Sequence, residues 1–483
     1  MSDVNRRSFL KGLTGVIGAG MVSSCKSGTE ETSLEAAQKA LHAKFASKKA
    51  IRNMATFTNK PMSKVRVGII GLGMRGYGAV DRLAKIKDVE IVALGDLKAD
   101  KVARSQGTLK KNNRPAAKEF HSSPDAWKKM LELDLDLIYI VTPWSLHTPM
   151  CLAAMESGKN AACEVPIAKT VEECWQLVET SERTGKHCVM LENCCYDFFE
   201  MMTLRMVREG AFGELTHVEG AYIHALNSLI ATNFEGKWRL EENQTRNGGL
   251  YQTHGIGPVA QCLDINRGNQ MDYLTSISSQ EAAFSAWAKE NGKEELAKGY
   301  RGDMNTTLVK CVNGQTIMIQ HDVNTPRPYS RIHLLQGTKG CARKWPERGI
   351  ALTSHDNAHR WLNDAEMKEI EAKYNHPLAE VMGDIARKVG GHGGMDFIMD
   401  YRLIYCLKNG LPMDMNVYDG AAWSALAALS EDSVANEGKS VKVPDFTRGQ
   451  WKNTAPLPIV TVDPKKLPVV TKVKNAAKQL NVH

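Results

Sequence analysis

The chain of 483 residues has room for two to four domains and a sizeable core. Its 43% apolar and 24% charged residues are those of a folded α/β or α+β protein, which excludes a disordered, collagenous or multispanning chain. The net charge of +8 sits at the front, where residues 1–66 hold twelve Lys or Arg against four Asp or Glu, while the remaining 417 residues hold fifty of each. A neutral body lacks the basic excess that tracks phosphates, so nucleic acid is not an expected partner.

Asn5-Arg6-Arg7-Ser8-Phe9-Leu10-Lys11 is followed by an uncharged run from Gly12 to Ser24, too short and too weakly apolar to span a bilayer. Together they resemble a twin-arginine export signal. Val22-Ser23-Ser24-Cys25 resembles a lipoprotein cleavage box, which implies Cys25 as a lipidated N-terminus and anchoring to a membrane. The expected location is therefore periplasmic or tethered to the cell envelope, with residues 1–25 as signal and 26–63 as a tether carrying one helical piece, Leu34 to Lys49. The ten other cysteines show neither CxxC nor CxxC…HxxxH spacing, so no metal site is expected and scattered buried thiols are.

Residues 64–194 predict a dinucleotide-binding domain. Val65 to Ile70 is an apolar strand, Gly71-Leu72-Gly73-Met74-Arg75-Gly76 is a complete GxGxxG opening a helix through Ile86, and Val89 to Leu94 is a second strand ending at Asp96. Gly71 permits the tight turn, Gly73 lets a pyrophosphate approach the backbone, and Gly76 lets helix press on strand, while the helix N-terminus offers amides to phosphate. Asp96 is placed to accept from ribose hydroxyls and to repel a 2′-phosphate, which favours NAD over NADP; Lys98 and Arg104 behind it soften that preference. Three further strands, Leu135 to Val141, Asn160 to Cys163 and Cys188 to Leu191, end in loops that converge on one crevice. These are Thr142 to His147, Glu164-Val165-Pro166, and Glu192-Asn193.

The GxGxxG, TPWSLH and EVPIAKTVEEC segments resemble the Gfo/Idh/MocA oxidoreductase family. The resemblance implies a Rossmann domain, with its doubly wound parallel sheet, joined to a C-terminal α/β domain with an open, mostly antiparallel sheet. Most dehydrogenases of that family carry Lys in the middle of an E-K-P segment, where this chain has Val165, and that departure weighs against ordinary alcohol oxidation.

Residues 195–453 predict the second domain. Thr216 to Ala225 alternates as a strand bearing Tyr222, Asn305 to Val323 reads as two strands about an Asn313-Gly314 turn, and Arg331 to Leu335 and Ala342 to Trp345 are further strand candidates. A glycine-rich entry from Arg246 leads to a helix, Ile256 to Leu263, with Tyr251 and His254 three apart and so on one side of its first turn. Taken alone, a Tyr and a His at that spacing are more often core or capping residues than a site. The tail, residues 454–483, lacks core periodicity and is expected to wrap the surface or a partner subunit.

GGLYQTHGIGPVAQCLDINRG, PYSRIHLLQGTKG and GHGGMDFIMDYRL, with the loops above, closely resemble glycoside hydrolase family 109, the NAD-dependent α-N-acetylgalactosaminidases. The resemblance implies cofactor contacts at Met74, Arg75, Asp96, Trp144, Ser145, Leu146, His147, Glu164, Val165 and Asn193. It implies sugar contacts at Tyr222, Arg239, Tyr251, Gln252, Thr253, His254 and Tyr329. His254 and Tyr251 are the candidate proton carriers, with Tyr196 as an alternative. The chemistry it implies is transient oxidation of the sugar at C3 by NAD, loss of the C2 proton, elimination at C1, water addition and return of the hydride, with retention. His392 and Asp396 are read as supporting or helix-cap residues. A homodimer through the second sheet is the expected assembly. An exported sugar oxidoreductase with tightly bound NAD(P) and a non-catalytic NAD-dependent sugar sensor are the alternatives.

Overall fold

The computed structural model describes residues 33–232 and 237–463. The twin-arginine segment, Cys25 and the tail from residue 464 onward lie outside them. The described residues divide into two units between Ala40 and Leu41. The predicted helix around Leu34 to Lys49 runs as an α-helix over Ser33–Leu41 and then as a π turn over His42–Ala46. Both sheets belong to the second unit.

The first sheet has six parallel strands in the order β3-β2-β1-β4-β5-β6. They are β1 (Val65–Ile70), β2 (Val89–Gly95), β3 (Lys118–Phe120), β4 (Leu137–Ile140), β5 (Asn160–Cys163) and β6 (Cys188–Met190). The central ones are short apolar runs buried on both faces, as a parallel sheet covered by helices requires. Strand order reverses between β1 and β4, and a crevice opens at the carboxyl ends there. One covering helix, Val171–Thr184, shows how local sequence fixes its ends. Thr170 and Glu173 form a capping box at its start, and Gly185 closes it in the left-handed region at φ 60°.

The second sheet has eight strands in the order β13-β12-β11-β7-β10-β9-β8-β14. These are β7 (Leu215–Ile223), β8 (Met271–Ser278), β9 (Met304–Cys311), β10 (Thr316–Asp322), β11 (Leu334–Gly337), β12 (Gly340–Arg343), β13 (Gly349–Leu352) and β14 (Val441–Lys442). All neighbours are antiparallel except β7 and β10, so the expected open, mostly antiparallel sheet is present. β8 and β13 were not among the expected strands, and the strand expected at Arg331 begins only at Leu334. Ile332 and His333 adopt positive φ of 57° and 50°, which an extended run cannot accommodate.

Two helices tie the layers together. Val417–Ala435, buried nearly all round, packs on both Val171–Thr184 and β8. Met395–Asn409 packs on the Met74–Ala84 helix, and there Asp400 accepts from Arg82 Nε at 2.7 Å and from the Tyr139 hydroxyl at 2.7 Å, all three side chains being buried. Removing one member of such a buried pair costs about 3–5 kcal/mol. Residues 454–463 run along this layer, with Leu457 and Val462 buried and the Thr461 carbonyl accepting from Arg402 at 2.9 Å. Among the described residues no helix is long and apolar enough to cross a membrane. The ten described cysteines are free thiols, nine of them buried.

Candidate active site

The glycine turn has the shape a pyrophosphate needs. Gly71 sits at φ 89°, where a Cβ would fall 2.4 Å from the Val141 carbonyl, and a Cβ on Gly76 would fall 1.8 Å from the Gly71 carbonyl. Above Gly73, by contrast, a Cβ would meet nothing within 4 Å, and the helix it caps has no side-chain cap. Free amides under open space are the elements of a phosphate cradle. Asp96, just past β2, accepts from the amides of Leu72 (2.7 Å) and Lys98 (2.9 Å), so its carboxylate is braced beside the turn. Arg104 is drawn to the Leu72 carbonyl at 3.1 Å and lies over the Tyr77 ring at 4.2 Å. The residues present therefore fit a dinucleotide.

Of the other residues that the resemblance assigns to the cofactor, Met74, Ser145 and Leu146 are exposed, while Trp144 and Val165 are buried. His147 turns inward, its Nδ1 and Nε2 each 2.7 Å from a backbone carbonyl, of Pro166 and Thr142. Burial pushes its pKa down although both carbonyls favour the protonated ring. It braces two loops against each other.

Arg75, Glu164 and Asn193 converge on a residue given only a supporting role from sequence. Arg75 donates to Glu164 Oε1 (2.8 Å) and to Asp396 Oδ2 (3.0 Å), and Asn193 donates to Asp396 Oδ1 (2.6 Å). His392 Nδ1 lies 3.0 Å from the same carboxylate. Burial alone would raise the Asp396 pKa, but Arg75, His392 and Arg82 outweigh it and hold the carboxyl well below the usual range. The fragment thus joins the glycine-turn helix, the β5 loop, the β6 loop and the start of Met395–Asn409.

Next to it lies a pocket of rings. Tyr251 contacts Tyr222 at 4.9 Å, His254 at 4.9 Å and Trp144 at 5.6 Å between ring centroids. Tyr222 in turn meets His254 (5.4 Å) and Tyr329 (6.2 Å). Arg239, buried, lies over both Tyr251 (4.5 Å) and Trp144 (5.1 Å). Burial pushes the Tyr251 phenol well up, with Arg239 opposing, which favours a protonated hydroxyl. The helix here is Thr253–Cys262, so Tyr251 precedes it instead of sharing its first turn; the two rings meet through the turn at Gln252.

Three sequence candidates stand outside this group. The Gln252 amide donates to Thr307 (2.8 Å) and Asn305 (3.2 Å) inside the second sheet, and Thr253 is buried with no partner for its hydroxyl. The Tyr196 hydroxyl donates to Asp414 at 2.9 Å, and Asp414 is held by Arg402 at 2.6 Å. A phenol committed to an ion-paired carboxylate, its pKa pushed well up by burial, is a structural donor and not a proton carrier.

Glu192 was expected in one of the three loops at the crevice but was given no role of its own. Its carboxylate lies 2.7 and 2.9 Å from His254 Nδ1 and also accepts from the Cys194 amide at 3.0 Å. Burial would raise its pKa, but the His254 ring and these bonds hold it below the usual value. The available signal was its place at the carboxyl end of a parallel strand, where ligands and their supports gather. Glu192, Cys194 and His254 bring metal-ligand atom types within 4.8 Å of one another. In this structure the three are joined by hydrogen bonds, Glu192 accepting from both His254 Nδ1 and the Cys194 amide.

A Rossmann fold with a glycine turn fitted to a dinucleotide, beside a cluster of Tyr, His and Arg, has the architecture of an NAD-binding enzyme. Residues 65–192 match the oxidoreductase family with an NAD-binding Rossmann fold, and residues 196–453 match the C-terminal domain of glycosyl hydrolase 109. A glycosyl hydrolase family 109 protein of Porphyromonas gingivalis is 48% identical over 403 residues, 81% of this chain and 86% of that protein. A Bacteroides fragilis protein named alpha-N-acetylgalactosaminidase is 46% identical over 402 residues, 81% of this chain and 94% of that one. Levoglucosan dehydrogenase in complex with NADH shares the fold at TM-score 0.60 and 18% identity, over 79% of this chain and 100% of that one. The chain belongs to glycosyl hydrolase family 109: it is a glycoside hydrolase with an NAD-binding domain.

Proposed function

We propose that this enzyme releases terminal α-linked N-acetylgalactosamine with retention of configuration, through transient oxidation at C3, elimination across C1 and C2, water addition and re-reduction. The observation that carries the reading is the Trp144–Tyr251 stack beside His254, which sets proton-carrying groups directly against the dinucleotide crevice. The alternative of direct displacement needs two carboxyl groups flanking the scissile bond. Glu164 and Glu192 are instead paired with Arg75 and His254. The sugar is supported by the name of the 46%-identical Bacteroides fragilis relative.

The glycine turn, Asp96, Arg75 and Trp144 would hold NAD, which when bound supplies a reversible hydride acceptor for C3. The chain's own task is proton management. The proton at C2 falls to the His254–Tyr251 pair, the Tyr251 hydroxyl donating while the ring nitrogen accepts. Arg239, lying on Tyr251, favours negative charge gathering on the substrate at that point. Arg6-Arg7 and Cys25 support export by the twin-arginine route and lipid anchoring.

Turnover of 4-nitrophenyl α-N-acetylgalactosaminide in deuterated water tests the reading. Nitrophenol is released, no NADH accumulates, and deuterium enters at C2. Hydrolysis without deuterium at C2 overturns the elimination route, and accumulating NADH identifies a sugar oxidoreductase instead.

A further inference from the structure

We propose that Glu192 is a positioning residue that fixes the tautomer of His254 and thereby makes His254 Nε2 the group that takes the C2 proton. The inference rests on the glycosidase reading above and decides within it between the two members of the His254–Tyr251 pair.

The geometry is specific. The Glu192 side chain is fully buried and both its oxygens lie within 2.7 and 2.9 Å of His254 Nδ1. The Cys194 amide donates to Oε1 and so holds the carboxylate from the other side. Helix Thr253–Cys262 approaches closely because residue 257 is glycine; a Cβ there would fall 2.7 Å from Glu192 Cγ. Tyr251 and Tyr222 lie against the ring at 4.9 and 5.4 Å.

An ionised carboxylate only accepts hydrogen bonds, so Nδ1 carries a hydrogen, and in the neutral ring Nε2 is then the nitrogen with the lone pair. Nε2 has no hydrogen-bond partner among the described residues, and the His254 side chain is 12% exposed. The proton moves from C2 to Nε2, the C2–H electron pair becomes the C1–C2 π bond, and the C1–O pair departs with the aglycone oxygen. The imidazolium so formed is matched by the buried carboxylate behind it, as in a base held by an orienting acid. Tyr251, whose protonated form burial favours, is left to donate.

The test uses the full chain with NAD bound, labelled with ¹⁵N-histidine, the His254 signals being assigned with His254→Asn. The neutral ring in the unsubstituted protein is expected to show Nδ1–H and a bare Nε2, and Glu192→Ala to shift the hydrogen toward Nε2. With 4-nitrophenyl α-N-acetylgalactosaminide, Glu192→Gln and Glu192→Ala lower kcat by about 10²–10⁴-fold while KM and bound NAD hold, and Glu192→Asp restores much of the loss. A ring protonated at Nε2 in the unsubstituted protein overturns the proposal, and so does a Glu192→Gln variant with unchanged kcat. If the expected tautomer is seen but no nitrophenol is released, the glycosidase reading fails while the Glu192–His254 assignment stands.

Discussion

Trp144 and Tyr251 stack across the seam between the two sheets, their ring centroids 5.6 Å apart and their planes 14° from parallel. Trp144 also takes the edge of Trp238 at 5.1 Å. Trp144→Ala removes both contacts from a buried site and is expected to cost about 3–5 kcal/mol in unfolding by urea, with loss of retained NAD. Tyr251→Phe keeps the stack and removes one hydroxyl. It is expected to keep its melting temperature and its NAD while turnover falls at least about 10²-fold. Equal losses of NAD in both variants would contradict the separation of roles.

The glycine turn predicts opposite outcomes for neighbouring substitutions. Gly76→Ala drives a methyl into the Gly71 carbonyl and should abolish folding of the turn, seen as loss of soluble protein or a sharply lowered melting temperature. Gly73→Ala meets no protein atom and should melt normally. Its methyl occupies the approach to the cradle, so the purified protein should carry little NAD, as absorbance of the denatured extract would show.

Asp96→Ala removes an acceptor for the ribose and the brace on the Leu72 amide together. A hydrogen bond to a charged group contributes about 1.5–3 kcal/mol, so NAD should bind roughly 10- to 100-fold more weakly by calorimetry. Unchanged affinity would assign Asp96 to the turn alone.

Asp396 predicts a pH dependence. Its pKa in the folded protein is held well below the ordinary value, mainly by Arg75 against the opposing effect of burial. As pH falls through about 4, the unfolded chain takes up that proton first, and stability is lost. The difference in unfolding free energy between the unsubstituted protein and Asp396→Asn should be widest near neutral pH and narrow below about pH 4. A difference that stays constant with pH would remove Asp396 as its source.

Five of the six parallel strands were legible as short apolar runs bounded by glycine or acid, and β1, β5 and the Asn313-Gly314 hairpin fall where their patterns predict, while β3, Lys118–Phe120, has one apolar residue and was not expected. β8 escaped because Met271–Ser278 mixes Tyr273 and Ile277, both exposed, with buried Ser276, so neither alternation nor a solid apolar run marks it. The ring pocket was legible only through motif resemblance, which carries identity but not direction. It could not show that Gln252 faces the sheet or that Tyr196 is spent on Asp414. The Glu192–His254 and Arg75–Asp396 pairs join residues 62 and 321 positions apart, and no local pattern encodes them.

The buried Arg82–Asp400–Tyr139 contact has a mechanical corollary. Any swing that lifts Met395–Asn409 off the nucleotide-side helix must first separate a buried guanidinium from its carboxylate. The helix and the nucleotide-side layer beneath it are thereby seated as one piece, and Asp400→Asn should uncouple them.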